Sequence, residues 1–549
     1  MTDMQDFFAA GQPQGKKPPP RGAATRVAVG HGGFFSRAAT APERVVLVMA
    51  ETGARYTAGE VARSALQMAQ WLHAQGLQAG ERFAVVLENR VEILALALAA
   101  RQAGLYAAVL STHLTPAEVA YIVQDCGARL VVASHKTLPQ LAELQAAHPL
   151  PCWTVDAATP QAPSLPAALQ ALQGPPADFA DRPLGRDLLY SSGTTGRPKG
   201  VLKPLWPAAL RGQADPEALA TGRIMGMDEH TVYLSPAPLY HAAPLRYTLR
   251  VLELGGQAVV MERFDAETAL ALIERYRVTH SQWVPTMFVR MLKLPEEVRR
   301  RYDLSSHRVA IHAAAPCPVD VKRAMLDWWG DILMEYYAGS EGCGTTMINS
   351  TEWRQRPGSV GRPTTGQLHI VDDDGRELPA GEIGQVYFSG GGQFSYLNDP
   401  EKTRQAINER GWITYGDIGH VDAEGYLFLS DRRADLILSG GVNLYPQEIE
   451  NALARHCGVQ EVAVVGVPHP DFGEVPLAAV VLRPGAEGSL ATARAIAEQA
   501  AEVLARMKLP QRVVFVDALP RLETGKLLRR KLKERFRGEP QAGFALRDS

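Results

Sequence analysis

Helix-period and strand-like stretches alternate along this chain, and that alternation limits its fold more than any other feature. Ala58 to Ala74 and Thr115 to Gln124 repeat apolar residues at helical spacing, while Phe83-Ala84-Val85-Val86-Leu87 and Leu130-Val131-Val132-Ala133 are short unbroken apolar runs. Short buried strands separated by amphipathic helices pack best as a mainly parallel sheet with helices laid over it, so an α/β chain is expected. With 549 residues and 46% hydrophobic content, the sequence can fill about two to four domains with large cores.

The ends and the composition narrow the setting. Gly11 to Arg26, GQPQGKKPPPRGAATR, is rich in Pro, Gly and Lys without periodicity, so residues 1–28 read as a disordered leader and folded sequence starts near Phe34. MTDMQDFFAA carries acids where a secretory signal carries bases, which points to the cytoplasm. The most apolar run, Ile93 to Ala100, stops at Arg101 and Gln102, short of the roughly 20 residues that span a bilayer. It reads as a buried alanine-rich helix, and no integral membrane segment is expected. Five scattered cysteines without a CxxC pair fit a reducing compartment rather than a disulfide framework or a zinc site. A formal charge of −2, from 57 basic and 59 acidic residues, gives no global pull toward nucleic acid.

Asp187-Leu188-Leu189-Tyr190 reads as a strand feeding SSGTTGRPKG, Ser191 to Gly200. Gly193, Gly196 and Gly200 let backbone N–H groups turn inward; Ser191, Ser192, Thr194 and Thr195 add short hydroxyl donors; Lys199 adds a point charge. A polyphosphate suits such a loop, although as bare composition it reads equally as a polar surface turn. Its spacing is not that of a Walker loop, because Arg197-Pro198 precedes the lysine and glycine follows it.

The ten residues closely resemble the phosphate loop of the acyl-adenylate-forming superfamily, which contains acyl-CoA synthetases, luciferases and peptide-synthetase adenylation domains. Further motifs recur in the family's order from about Phe34 to Phe536. EYYAGSEG, Glu335 to Gly342, resembles the Tyr-Gly-x-Thr-Glu element, with Ala338 in place of glycine and Ser340 in place of threonine. That resemblance implies that Tyr337 stacks on adenine, Ser340 lies near the phosphates and Glu341 binds Mg2+. TYGDIGHVDAEGYLFLSDRRADLILSGG, Thr414 to Gly441, resembles the ribose-binding and crossover segment, which implies Asp417 on the ribose hydroxyls and Arg432 beside the phosphate. LPRLETGKLLRRKL, Leu519 to Leu532, resembles the C-terminal lysine motif, so Lys526 is the residue expected to enter the site during adenylation. The flanking Arg529, Arg530, Lys531, Lys533 and Arg535 read as a solvated helix face.

The resemblance implies a large N-terminal ATP- and acyl-binding domain over 29–432, with mixed and parallel sheets, and a small mobile α+β lid over 433–549. Its hinge departs from the family pattern: Ala434 stands where Asp or Lys is usual, and Asp435 or Arg433 is expected to supply the polar tether. Ser439, Gly440 and Gly441 match the segment that lines the CoA tunnel, and His241 in APLYHAAPL matches the gate between nucleotide and acyl sites. Tyr240, His241, Trp283, Met287, Ala313, Ala314 and Tyr336 are the expected acyl-pocket walls, their size and apolarity suiting a medium or bulky hydrophobic acid.

The implied activity is an AMP-forming acid–CoA ligase with ATP and CoA as co-substrates, using Lys526, Glu341, Lys199 and His241. The same motifs leave two alternatives: an acyl-AMP ligase that loads a carrier protein, and a nucleotide-binding sensor without turnover. Neither GxSxG nor HExxH occurs, so no serine-hydrolase elbow or zinc-protease helix is expected.

Overall fold

Local signals start most helices where the sequence analysis expects them. Thr57 begins the helix Ala58–Ala74 with a capping box: its side chain accepts from the Glu60 N–H, and the Glu60 carboxylate accepts from the Thr57 N–H. Thr115 and Glu118 repeat the device at Pro116–Asp125, where proline occupies the first turn. The alanine-rich run lies within the helix Val91–Ala103, which buries eight of its residues and ends at Gly104 in the left-handed conformation. These features belong to a computed structural model that describes residues 32–173, 175–191, 198–315, 317–432, 435–439, 442–469, 472–504, 506–521 and 527–546. The expected leader, 1–28, lies outside the described residues.

Among the described residues the strands form three sheets. In the seven-stranded sheet, Tyr106–Val109, Arg82–Val86, Val131–Ala133 and Cys152–Thr154 run parallel, and Arg186–Ser191 joins them. Lys199–Leu202 then returns antiparallel. The thirteen-stranded sheet is parallel through Val45–Met49, Gln257–Val260, Val232–Ser235, His280–Trp283, Val309–His312 and Leu333–Ala338, and antiparallel from Thr345–Asn349 onward. The expectation of a mainly parallel sheet thus holds for the central strands, while the outer strands of the larger sheet are hairpin-connected.

The six-stranded sheet contains only residues from Ile437 on, and its two apolar clusters, including Ile449, Val464 and Ile496 on one face and Val465, Leu477 and Phe536 on the other, also come only from that part of the chain. By backbone contacts Gly32–Ser549 groups as one unit. The helix Leu490–Ala501 in this part is followed by a separate short turn at Arg506–Lys508.

All five cysteines are free: Cys126, Cys152 and Cys343 are buried, Cys317 is half-buried and Cys457 is exposed. Burial pushes the thiols of Cys126, Cys152 and Cys343 up to about 12, and moves Cys317 further in the same direction. Among the described residues no helix is long and apolar enough to cross a membrane.

Candidate active site

The strands that flank the expected phosphate loop run antiparallel. Leu188 and Leu189 bury the strand Arg186–Ser191 in the sheet, and the register Leu189↔Val201, Tyr190↔Gly200, Ser191↔Lys199 brings the chain straight back. Ser192, Gly193, Thr194, Thr195 and Gly196 lie outside the described residues; Ser191 and Lys199 mark where the turn leaves and re-enters the sheet. On the outer side of Lys199–Leu202 the short strand Ser395–Tyr396 pairs with Leu202 and Val201. This places the Lys199 Nζ 5.7 Å from the centre of the Tyr396 ring, a distance at which the ring's negative face attracts the ammonium. Lys199 is held down to about 8, first by burial and then by the neighbouring Lys402, against the opposing pull of Asp399 and Glu341.

Tyr396 also donates its phenol to Glu341 Oε1 at 2.8 Å, and Glu341 is only 9% exposed. The segment that follows the carboxylate has no room to shift: a Cβ at Gly391 would sit 1.7 Å from the Cys343 carbonyl oxygen, and the Gly392 N–H donates to the Gly342 carbonyl. Among the described residues no group of three His, Cys, Asp or Glu could cage a metal ion. A single anchored carboxylate with one oxygen still open to a ligand nevertheless fits Mg2+, which is commonly held by one or two carboxylates together with substrate phosphates.

The other end of the same short segment carries the residues expected at the nucleoside. Tyr337, on the strand Leu333–Ala338, donates its phenol to Asp417 Oδ2 at 2.6 Å, and Asp417 is 6% exposed. Tyr415 packs edge-on to Tyr337 with ring centres 5.6 Å apart, and its hydroxyl donates to the Gly344 carbonyl at 2.8 Å. Asp417 and Arg432 pair across the strands Ile413–Val421 and Leu427–Arg432, so the backbones of the two expected nucleotide ligands are adjacent. Ser340, half-buried, stands between the two ends. The sequence-derived set therefore converges: Tyr337 meets Asp417, while Glu341 meets Tyr396 beneath Lys199.

Beneath this segment lies a buried pair that the sequence reading missed. Lys322, fully buried, donates to Glu335 Oε2 and lies 4.8 Å from the centre of the Trp353 ring. His312 Nε2 is 3.8 Å from the same carboxylate oxygen, and burial keeps this imidazole well below its usual range. Helical spacing could have revealed the lysine, because residues 322, 325, 326 and 329 share the face that Met325, Leu326 and Trp329 bury.

The acyl-wall candidates divide between two cores. Tyr240 and Tyr336 pack on one apolar cluster, with Tyr247 6.0 Å from the Tyr336 ring. Trp283 and Met287 pack in the other, where Trp283 donates to Ser281 Oγ at 2.6 Å and abuts Trp329. Strand parity is the cause: in His280–Trp283 alternate side chains face opposite ways, so Gln282, not Trp283, reaches the Tyr336 side. Its amide donates to the Tyr336 hydroxyl at 3.2 Å, and its carbonyl accepts from Tyr233 at 3.3 Å. Trp283 and Met287 thus lie in a different cluster from Tyr240 and Tyr336, and Gln282 stands on the Tyr336 face. Ala313 is buried and Ala314, exposed, takes φ +75° at the end of the neighbouring strand. His241 caps the helix Ala242–Glu253. Burial, with His113 second, holds its imidazole down to about 4, so it is neutral at pH 7, and its Nε2 has no hydrogen-bond partner among the described residues.

In the C-terminal part, Ser439 ends the strand Ile437–Ser439 and pairs with Val442 and Gly473. Gly440, Gly441, Lys526, Arg433 and Ala434 lie outside the described residues. One basic residue departs from the solvated face expected of it: Arg529 donates to Glu450 and to the Val464 carbonyl, with Asp435 3.6 Å away. Arg530 stays exposed beside Glu534.

This α/β fold, a large N-terminal part followed by a smaller C-terminal sheet, is that of the adenylate-forming enzymes. The AMP-binding enzyme family model matches residues 34–396, and the AMP-binding enzyme C-terminal domain model matches 448–526. The chain belongs to this family and, within it, to the acid–thiol ligases. It is 32% identical over 511 residues to the long-chain-fatty-acid–CoA ligase FadD13 of Mycobacterium tuberculosis, spanning 91% of this chain and 97% of that one. A feruloyl-CoA synthase of Amycolatopsis is 32% identical over 489 residues, 88% of this chain and 94% of the other. Among solved structures, ATP-bound MatB from Rhodopseudomonas palustris superposes with a TM-score of 0.80 at 30% identity, covering 92% of this chain and 99% of that one.

Proposed function

We propose that the protein is an acid–CoA ligase that activates a medium or bulky hydrophobic carboxylic acid as its adenylate and then transfers the acyl group to CoA. The observation that carries this reading is the pairing at the two ends of residues 337–341: Tyr337 with Asp417 at one end and Glu341 with Tyr396 at the other. One segment is thereby braced against both a ribose and a phosphate chain.

A carboxylate is a poor electrophile, because attack on it disrupts resonance and adds a second negative charge. Here the acid's oxygen attacks the α-phosphorus of ATP, pyrophosphate leaves, and the acyl–AMP anhydride becomes open to the CoA thiolate, which expels AMP. Asp417 accepts from the ribose hydroxyls, Tyr337 flanks adenine and Arg432 meets the nucleotide phosphate. Lys199 and the hairpin's hydroxyls hold the leaving pyrophosphate. Glu341 would hold Mg2+, which when bound neutralises charge on the phosphates. Lys526 stabilises charge at the α-phosphate as the acid attacks, the kind of preorganised electrostatic help that dominates such steps.

His241, uncharged, is an apolar-to-polar gate beside Tyr240 rather than a cation. Tyr240, Tyr247, Tyr336, Ala313 and Ala314 wall the acyl space, with Gln282 as a polar spot among aromatic rings. The N-terminal domain is assigned to 29–432 and the lid to 433–549, because the third sheet and its cores begin at Ile437. Asp435, held near Arg529, serves as the polar tether of the hinge. Ser439, Gly440 and Gly441 line the pantetheine passage. ATP and CoA as co-substrates, together with five free cysteines, support the cytoplasm as the compartment.

The test is mass spectrometry of one reaction holding the protein, MgATP, CoA and a panel of fatty, aryl-aliphatic and steroid side-chain acids together with short acids. Acyl-CoA from a hydrophobic acid is the expected product. Acyl-AMP without acyl-CoA would transfer the assignment to carrier-protein loading, and absence of both across the panel would refute turnover of such acids.

A further inference from the structure

Lys402 has no role in the reading above, yet the fold holds it at the phosphate hairpin. It lies in the helix Pro400–Gln405, where Asp399 caps the helix by accepting from the Lys402 N–H at 2.9 Å. That helix is fastened to the strand of Lys199 at several points. The Tyr396 N–H donates to Thr403 Oγ1 at 2.9 Å, and Thr403 Oγ1 donates to the Asp399 carbonyl at 3.0 Å. The Leu397 N–H donates to the Gly200 carbonyl at 2.9 Å. The frame thereby sets Lys402 as a neighbour of Lys199, near enough for its charge to disfavour a second ammonium there, and both side chains are half-buried.

Two ammonium groups cannot donate to each other, and like charges at this range repel, more so where water is partly excluded. The nearby anions offset the clash only in part, because burial and Lys402 hold the Lys199 amine down against the pull of Asp399 and Glu341. Asp399 is engaged in capping its helix, Glu341 accepts from Tyr396, and Glu401 on the Lys402 helix is taken by Arg404. A fold that places two lysines side by side, fastens both from behind and leaves them short of counter-charge is arranged for a polyanion.

We propose that Lys402 is a second phosphate-binding residue, which closes with Lys199 on the terminal phosphates of ATP and on the pyrophosphate that leaves. This inference rests on the adenylation reading and extends it to a residue outside the recognised motifs. Two primary amines on separate elements, one on a strand and one on a helix, can grip a pyrophosphate from two directions, each with charge-assisted hydrogen bonds.

Proton linkage gives a readout independent of turnover. The free protein holds the Lys199 amine down to about 8 through burial and Lys402. A bound polyanion favours the charged amine, so binding takes up a proton above about pH 8 and weakens as pH rises through that range.

Calorimetry with inorganic pyrophosphate and magnesium, on wild type, Lys402→Ala and Lys402→Arg from pH 7 to 9, tests the proposal alongside ATP-dependent acyl-AMP formation. Lys402→Ala should weaken pyrophosphate binding and raise KM for ATP by about 10- to 100-fold, the loss of one charge-assisted contact. Its binding should also weaken at a higher pH than in wild type, because Lys199 loses a repelling neighbour, and Lys402→Arg should restore most of the affinity. Thioester formation from preformed acyl-AMP should not change. Wild-type-like affinity and an unmoved pH edge in Lys402→Ala, with adenylation intact in wild type, would overturn this inference alone; absence of both adenylation and pyrophosphate binding in wild type would overturn the parent reading with it.

Discussion

Lys322 and Lys199 live in opposite electrostatic conditions. Lys322 is fully buried, bonded to Glu335 and backed by Trp353. Lys199 is half-buried, faces Tyr396 and has another lysine as its neighbour. The first has its counter-charge built in and holds the strand that carries Tyr337. The second is disfavoured by burial and Lys402 more than Asp399 and Glu341 relieve it, and is thereby ready for a charge that arrives from outside. A paired buried lysine contributes to the fold, whereas one left beside a like charge contributes to binding.

The contrast can be broken most sharply at Lys322. Lys322→Ala strands Glu335 as a buried group without its partner and should cost about 3–5 kcal/mol of stability in urea denaturation. Normal stability with lost adenylation would mean that Lys322 belongs with the binding lysines instead. Lys526→Ala should give the reverse pattern: an unchanged unfolding midpoint, but an adenylation rate roughly 10²–10³-fold lower, about 3–4 kcal/mol, with far less effect on thioester formation from acyl-AMP. An equal loss in both half-reactions would refute that division of labour.

The core histidines sharpen the stability side. His280 and His307 are buried, and burial holds them down to about 4 and about 3. Unfolded, each would titrate near 6.5, so below that pH the unfolded chain binds more protons than the folded one. Stability should therefore be full above about pH 6.5 and fall as pH drops, by up to about 1.4 kcal/mol per pH unit for each residue. Denaturation at pH 7, 6 and 5 measures this, and a flat profile would show that the imidazoles escape burial. The smallest effect is expected from Tyr337→Phe, which removes the hydrogen bond to Asp417: about 1 kcal/mol, seen as a roughly fivefold higher KM for ATP with little change in midpoint.

The strand feeding the phosphate loop was legible because an apolar run ending in glycines and hydroxyls leaves little else for the chain to do, and Tyr337, Glu341 and Asp417 were placed by motif. What escaped depended on direction. Size alone groups Trp283 with Tyr336, whereas strand parity sets Trp283 in the other apolar cluster and brings Gln282 to the Tyr336 side. Arg529 looked solvated because its neighbours are basic, and only tertiary folding brings Glu450 and the Val464 carbonyl to it. Lys402 carried no local signal, since its importance comes from a helix fastened across a sheet edge to Lys199.

The cysteines described with the fold have a practical consequence. Three thiols are buried with their ionisation pushed up to about 12, the half-buried Cys317 is higher still, and only Cys457 is exposed. Because the thiolate is the reactive form, a maleimide dye offered to the native protein near neutral pH will attach at Cys457, in the C-terminal part of the chain. The wild-type enzyme thus carries its own labelling position, from which fluorescence could follow lid rotation through a catalytic cycle without a single substitution.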